Sequence, residues 1–269
     1  MPRSYLFIPG NTPSMLQHAD VFNSDAVIID LEDSVTLFRK HEARRLVREY
    51  LVKFQDLSME LYIRLNDPST PFFAEDLAQL DDLPIDGYVL PKATKETVLL
   101  LAEKTKKTII AIIESAYSVL TLEDISSIKA VKGLLLGAED YTTDMGIERT
   151  IDGDELIYVR SKLAVCAKAY NKEAIDTPFT FKDDLDGLKR DILRAKSLGL
   201  HSKSIIHPNH VDDVNQLLTP SDELVNWAKR VMKKKEMTSK GAFSLDGKMV
   251  DEPVIKKAKL ILTEIKKYS

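Results

Sequence analysis

Short, nearly uninterrupted apolar runs recur along this chain, and most of them end in a charged or hydrogen-bonding residue. The clearest is GLLLGAED at 133–140, where small and apolar residues lead through Gly137 into two carboxylates. That pattern predicts a buried strand over 133–137 that stops in acid. Runs of the same kind at 5–8, 26–29, 61–65, 87–90, 108–113, 173–175 and 203–206 predict seven more strands. The run at 26–29 has no polar position, as expected of a parallel strand covered on both faces. Between the strands, helices are expected near Pro13 and over 37–53, 72–80, 95–104, 119–128, 154–170 and 184–198, the last closed by Gly199 as a C-cap. In the 37–53 helix, Leu37, Leu46, Val47, Tyr50 and Leu51 share one side, and Arg44, Arg45, Arg48 and Glu49 lie largely on the other.

Eight strands alternating with helices over this length predict a TIM (β/α)8 barrel. The competing fold, a doubly wound open sheet, would carry a G-x-G-x-x-G turn after an early strand, and the chain has none. Parallel strands in a barrel all end on one face, where barrel enzymes build their sites. Asp30, Glu32, Asp33, Arg64, Asn66, Lys92, Glu114, Glu139, Asp140, Asp176 and His207 are therefore expected to converge there. The plainer reading, a ring of salt bridges closing the barrel top, has to explain why so many carboxylates would gather without a cation.

The barrel is expected over residues 1–219, with an extension over 220–269. In the extension, a helix at 221–235 precedes a hairpin whose strands, 243–245 and 248–250, flank Asp246-Gly247, and a last helix runs over 251–267 with Pro253 in its first turn. Lys233 to Lys235 read as a solvated helix end. A closed barrel does not need this appendix, which is expected to pack on the barrel or a neighbouring subunit, or to close over the site.

Composition narrows the function. The chain has 269 residues, is 44% hydrophobic and has a net charge of −4 with both signs mixed along it, so nucleic acid and membrane surfaces have no electrostatic footprint. Cys166 is the single cysteine, which excludes an internal disulfide and a cysteine-rich metal site; flanked by Leu163, Val165 and Ala167, it reads as a core residue. The opening MPRSYLFIPG enters a strand with no signal-peptide apolar core, and no apolar run is long enough to span a membrane, so a soluble, cytoplasmic protein is expected.

Glu114 and Asp140, at the ends of the fifth and sixth strands, offer hard oxygen ligands with no cysteine or histidine pair, which suits Mg²⁺. Arg64 presents a planar fork suited to a carboxylate or to a carbonyl gaining charge, or else pairs with Asp30 or Glu32. Lys92 and Arg3 are candidates for phosphate contacts, and His207 is either a binding residue or a strand-end hydrogen bonder.

The stretches RSYLFIPGN, DAVIIDLEDSV, IRLND, VLPK, IIES, GAEDY, AIDTPF, IIHP and LDGKMVDEPVI follow one another from residue 3 to residue 255. In that order the chain resembles, over essentially its whole length, the citrate lyase β-subunit group of the HpcH/HpaI aldolase and citrate lyase superfamily. The resemblance implies a TIM barrel in which Glu114 and Asp140 bind Mg²⁺, Arg64 holds substrate oxygens, and Glu139 and Asp140 lie against a 2-oxo acid. It also implies that Ile206 and His207 touch the coenzyme A part in CoA-dependent members. Asp251 matches the acid/base of related CoA lyases, often supplied by the adjacent subunit of a homotrimer; it also reads as an ordinary helix N-cap. The implied activity is retro-Claisen cleavage of a citryl-, citramalyl- or malyl-type acyl thioester to a 2-oxo acid and an acyl thioester. The GAEDY and LDGKMVD stretches resemble β subunits that work with a citrate lyase α subunit and an acyl carrier protein, whereas His207 and the short length lean toward a stand-alone enzyme acting on a CoA thioester. Two other readings remain: a non-catalytic oxo-acid or CoA-binding regulatory protein, and a pyruvate-type aldolase. The aldolase relatives rely on an early histidine, and His18 and His41 fall on expected helices instead.

Overall fold

The computed structural model describes residues 1–53, 59–238 and 241–268 and divides into two compact units, Met1–Asn215 and Gln216–Ser269. In the first, eight parallel strands close into a barrel: β1 (Ser4–Pro9), β2 (Ala26–Asp30), β3 (Glu60–Arg64), β4 (Gly87–Leu90), β5 (Thr108–Ile113), β6 (Val131–Leu136), β7 (Glu173–Asp176) and β8 (Ser202–Ile205). Closure is made by β1 pairing with β8 in the register Tyr5 to Ser204. Alternate strand residues point inward, so Tyr5, Ala26, Ile28, Tyr62, Val89, Ile110, Ile112, Leu135 and Ile175 fill the interior as one cluster. The eightfold alternation read from the apolar runs is thus a TIM barrel. Among the described residues no helix is long and apolar enough to cross a membrane.

The connecting helices are α1 (Pro13–Gln17), α2 (Lys40–Lys53), α3 (Pro71–Leu80), α4 (Lys95–Lys104), α5 (Ala116–Leu120), α6 (Leu122–Ser127), α7 (Ala138–Met145), α8 (Ile157–Ala169), α9 (Leu185–Ser197) and α10 (Val211–Leu218). Several features of these helices differ from the sequence expectation. The helix expected over 119–128 is two short helices meeting at Thr121. Arg44, expected on the solvent side of α2, is fully buried and bonds Asp76 at 2.9 Å and Glu75 at 2.9 Å, whereas Leu37, expected on the apolar side, is exposed. Cys166 is buried as expected, but its neighbour Val165 faces outward at 69% exposure.

Asp176, expected among the converging site residues, instead joins a buried ionic quartet. Arg160 of α8 donates to Asp176 (2.8 and 3.0 Å) and to Asp191 of α9 (2.7 Å). The Lys203 ammonium of β8 donates to Asp176, Asp191 and the Thr177 carbonyl, each at 2.7 Å. Burial by itself would push the Asp191 carboxyl up, but Lys203 and Arg160 outweigh it and hold Asp191 below the ordinary carboxylate range. A depressed carboxylate contributes stability that is present above its unfolded-state value and lost as pH falls through the folded-state one. Asp191→Asn is therefore expected to cost about 3–5 kcal/mol, or roughly 6–20 °C in Tm for a barrel of this size. Its acid unfolding should also be flatter below pH ~4. Thermal melts at pH 7 and pH 3 check both, and an unchanged Tm at pH 7 would show that the quartet is not stabilising.

The second unit is built on α11 (Asp222–Glu236), the hairpin β9 (Phe243–Leu245) and β10 (Lys248–Val250), and α12 (Glu252–Ile265). Val225, Ala228 and Val231 pack against Val250, Ile255, Ala258 and Ile261. The hairpin turns through Asp246 and Gly247, both with positive φ (52° and 77°), as the Asp-Gly pair predicts. Asp251 is the N-cap of α12, its Oδ1 accepting the Val254 N–H at 3.4 Å.

Candidate active site

At the C-terminal ends of the strands a cavity of about 460 Å³ opens, lined by Arg64, Glu114, Glu139, Asp140 and Ile206 among the expected residues, together with Asp30 and Asp33. Its wall is otherwise largely apolar, with Phe7, Ile112, Leu135 and Leu136 contributing. A mostly apolar hollow with a few convergent polar groups is the usual form of a small-molecule site.

Arg64 organises the β2–β3 side. Its Nε and Nη2 each donate at 2.7 Å to the two oxygens of Asp30, a bidentate pair. Its Nη1 lies 3.0 Å from Glu32 and 3.1 Å from Asp33, and the guanidinium carbon sits 5.1 Å from the centre of the Phe7 ring. The ion pair with Asp30 or Glu32, weighed from sequence as the plainer role of Arg64, is present in this structure. Asp30 is further fixed by the N–H groups of Glu32 (2.8 Å) and Ser34 (3.0 Å). Burial would raise Asp30; Arg64 outweighs it and keeps the carboxyl below its ordinary value.

The other carboxylates are not neutralised in this way. Burial pushes Glu32 up to about 8, with Arg64 opposing and Asp33, Glu114 and Asp30 adding to the rise. Burial likewise pushes Glu114 up to about 7; the hydrogen bond from the Lys92 N–H opposes this and the charge of Asp140 adds to it. Glu32, Asp33, Glu114 and Asp140, from the ends of β2, β5 and β6, thus crowd together beside the Arg64–Asp30 pair, a concentration of acid that a divalent metal ion would relieve. Among the described residues no group of three or more histidine, cysteine or acidic side chains is arranged to hold a metal ion. Mg²⁺ fits that sparseness, because it binds through one or two carboxylates and retains waters.

Helix α7 was not foreseen: the sequence reading ran from the sixth strand straight to the helix near 154. Its turn begins at Ala138, directly after β6, and ends at Gly146 in a left-handed C-cap with φ 66°. Glu139 and Asp140 therefore sit in a first helical turn, which favours acids there. Gly137, between strand and helix, has no room for a side chain. A Cβ there would lie 2.7 Å from both the Cβ and Oε2 of Glu114, so this close approach of backbone to carboxylate requires glycine.

Glu32, Asn66, Lys92, Asp176, His207 and Arg3, all expected at the site, lie apart from the cavity lining. The Lys92 ammonium donates to Asp67 at 2.8 Å, a bond that raises it above its ordinary value, and its backbone rather than its amine meets Glu114. His207 accepts the Asn209 N–H at 3.3 Å and faces His210 at 5.8 Å, and burial lowers its imidazole below the ordinary value. Arg3 lies at the start of β1, away from the strand ends that form the site, and bonds Asp25 through two nitrogens at 2.8 and 2.7 Å. Asn66 is buried on Asp76. Asp251 belongs to the C-terminal unit, where it caps α12. The sequence reading did not single out Phe7 or Thr177 as lining residues. Phe7 lies inside an apolar run, where nothing distinguishes a cavity residue from a core one.

Residues 3–208 match the family described as HpcH/HpaI aldolase/citrate lyase, and residues 157–269 match the C-C bond lyase family of the TIM-barrel fold. The chain is 35% identical to citrate lyase subunit beta of Leuconostoc mesenteroides subsp. cremoris, over 97% of this chain and 92% of the relative. It is 30% identical to mitochondrial citramalyl-CoA lyase of Rattus norvegicus, over 97% of this chain and 85% of the relative. Among solved structures, protein CitE from Mycobacterium tuberculosis in complex with magnesium, acetoacetate and coenzyme A superposes with a TM-score of 0.84 at 30% identity, covering 97% of both chains. With an acidic, arginine-bearing cavity at the mouth of a closed barrel and these matches along nearly its whole length, the chain belongs to the HpcH/HpaI aldolase/citrate lyase family.

Proposed function

We propose that this protein is a Mg²⁺-dependent carbon–carbon lyase that splits a 3-hydroxy-3-carboxy acyl thioester of citryl, citramalyl or malyl type into a 2-oxo acid and an acyl thioester. The observation that carries this reading is the presence of Glu114, Asp140 and Arg64 on the wall of a single cavity. The names of the relatives, a citrate lyase subunit and a citramalyl-CoA lyase, support the reaction class. The magnesium and coenzyme A in the CitE complex support the cofactor and the thioester.

Glu114 and Asp140 would hold the metal. When bound, Mg²⁺ supplies Lewis-acid polarisation of the substrate's oxygens and stabilises the negative charge they gain. Arg64, already oriented by Asp30, faces the same oxygens with Nη1. Glu139 lies beside the oxo-acid portion, and Ile206, on the cavity wall, meets the thioester arm, with His207 next to it at the end of β8. Lys92, after β4 on the opposite side of the barrel, would contact substrate only by leaving Asp67. Cleavage begins when a base removes the proton of the substrate hydroxyl. The O–H electrons form the new carbonyl, and the carbon–carbon bond electrons pass to the α-carbon of the thioester. That enolate then takes up a proton. Asp251 is assigned both proton transfers, arriving from the adjacent subunit of a homotrimer. A cytoplasmic setting belongs to the same proposal.

The match to a citrate lyase β subunit favours a second form of the reaction, in which the thioester is carried by an acyl carrier protein beside a citrate lyase α subunit. A panel of citramalyl-CoA, malyl-CoA, citryl-CoA and a citryl-loaded carrier protein separates the two. At least one is expected to release a 2-oxo acid with Mg²⁺ and none in excess EDTA. Turnover restricted to the loaded carrier assigns the subunit role, and absence of 2-oxo acid from every thioester overturns the lyase reading.

A further inference from the structure

Helix α7 carries Glu139 and Asp140 yet has no N-cap side chain of its own, because its N-cap is Gly137 and Glu114 occupies the space a Cβ would need. The first N–H groups of a helix need outside acceptors, and a missing cap costs order in the first turn. Here an acceptor comes from another strand end. The Thr177 hydroxyl, just past β7, accepts the Ala138 N–H at 3.2 Å, and Thr177 is 1% exposed. Thr177 is in turn held from beneath, its carbonyl accepting from Lys203 at 2.7 Å. The remaining Lys203 bonds go to Asp176 and Asp191, both gripped by Arg160.

We infer that Thr177 is a positioning residue that holds the first N–H of α7, whose N-cap Gly137 carries no side chain, and so sets Asp140 against Glu114, with the buried quartet as its foundation. The chain of contacts runs from the quartet through Lys203 to the Thr177 carbonyl, and from the Thr177 hydroxyl to Ala138. Asp140 lies two residues further on. Asp176, which is not on the cavity wall, thereby acquires a part in the site through its neighbour. The inference rests on the metal reading given above.

Thr177→Val keeps the shape of the side chain and removes the hydroxyl that accepts the Ala138 N–H, and Thr177→Ser restores it. In the full-length protein, calorimetric titration with Mg²⁺ is expected to show a Kd roughly tenfold or more weaker for the valine variant, the scale seen for groups that orient metal ligands. The serine variant should return to within about twofold of the parent, and the Tm of both should stay close to the parent's. Amide hydrogen exchange gives a readout that needs no metal: exchange over 137–140 should accelerate in Thr177→Val alone. Parent-like Mg²⁺ affinity together with parent-like exchange in Thr177→Val overturns the inference. An Asp140→Asn control that still binds Mg²⁺ normally would sink the metal reading instead, and Thr177 is then decided by exchange alone.

Discussion

Replacing Glu114 by alanine is expected to abolish measurable Mg²⁺ binding and lower turnover by about a thousandfold, the equivalent of several kcal/mol of lost charge stabilisation. Glu114 is buried at the end of β5, fixed by the Lys92 N–H and packed against the bare Gly137 backbone, and Asp140 raises its carboxyl further. Removing it leaves Asp140 as the single proposed ligand and opens a space beside Gly137 that water can enter. Isothermal titration with Mg²⁺, followed by 2-oxo acid release on the active thioester, measures both losses. A variant that bound Mg²⁺ and oxaloacetate as the parent does would place the metal elsewhere.

The second large effect is expected at Asp251. Asparagine is as good an N-cap as aspartate, so Asp251→Asn should leave α12 and the apolar seam between α11 and α12 intact. It cannot accept and return a proton, and the loss of a positioned acid/base is worth about 10²–10⁴-fold in rate. The expected pattern is a fall in kcat with KM and Tm nearly unchanged, measured by steady-state kinetics alongside a melt. Near-normal cleavage by Asp251→Asn would strip the residue of its assigned role and leave it a helix cap.

How far the sequence reveals this molecule depends on how local the physics is. Buried parallel strands write themselves as uninterrupted apolar runs, so all eight were legible, as was the Asp-Gly turn between β9 and β10. Glu114, Asp140 and Arg64 were legible because each closes such a run, and in a barrel strand ends share one face. Helix α7 was not, since eight residues supply barely two turns of periodicity and its N-cap is a glycine with no capping side chain to announce it. Arg44 and Asp176 were misread for a related reason. A charged residue at a helix surface or strand end looks solvated until its partner is known, and Asp76 and Arg160 lie 32 and 16 residues away in the chain. Lys92 likewise has a partner that no local pattern announces, Asp67 at the end of the neighbouring strand. Pairings made by tertiary folding leave no periodic trace.

The clamp on Arg64 also constrains how any anion enters the cavity. One guanidinium edge, Nε with Nη2, is committed to Asp30 and its flat face lies over Phe7, so only the Nη1 side can be traded. There Glu32 and the exposed Asp33 already stand. An arriving carboxylate must therefore evict a resident one, a swap of one ion pair for another in which net charge at the arginine barely changes. Affinity at that point should respond weakly to ionic strength and strongly to shape, so that recognition there is a matter of fit more than of long-range attraction.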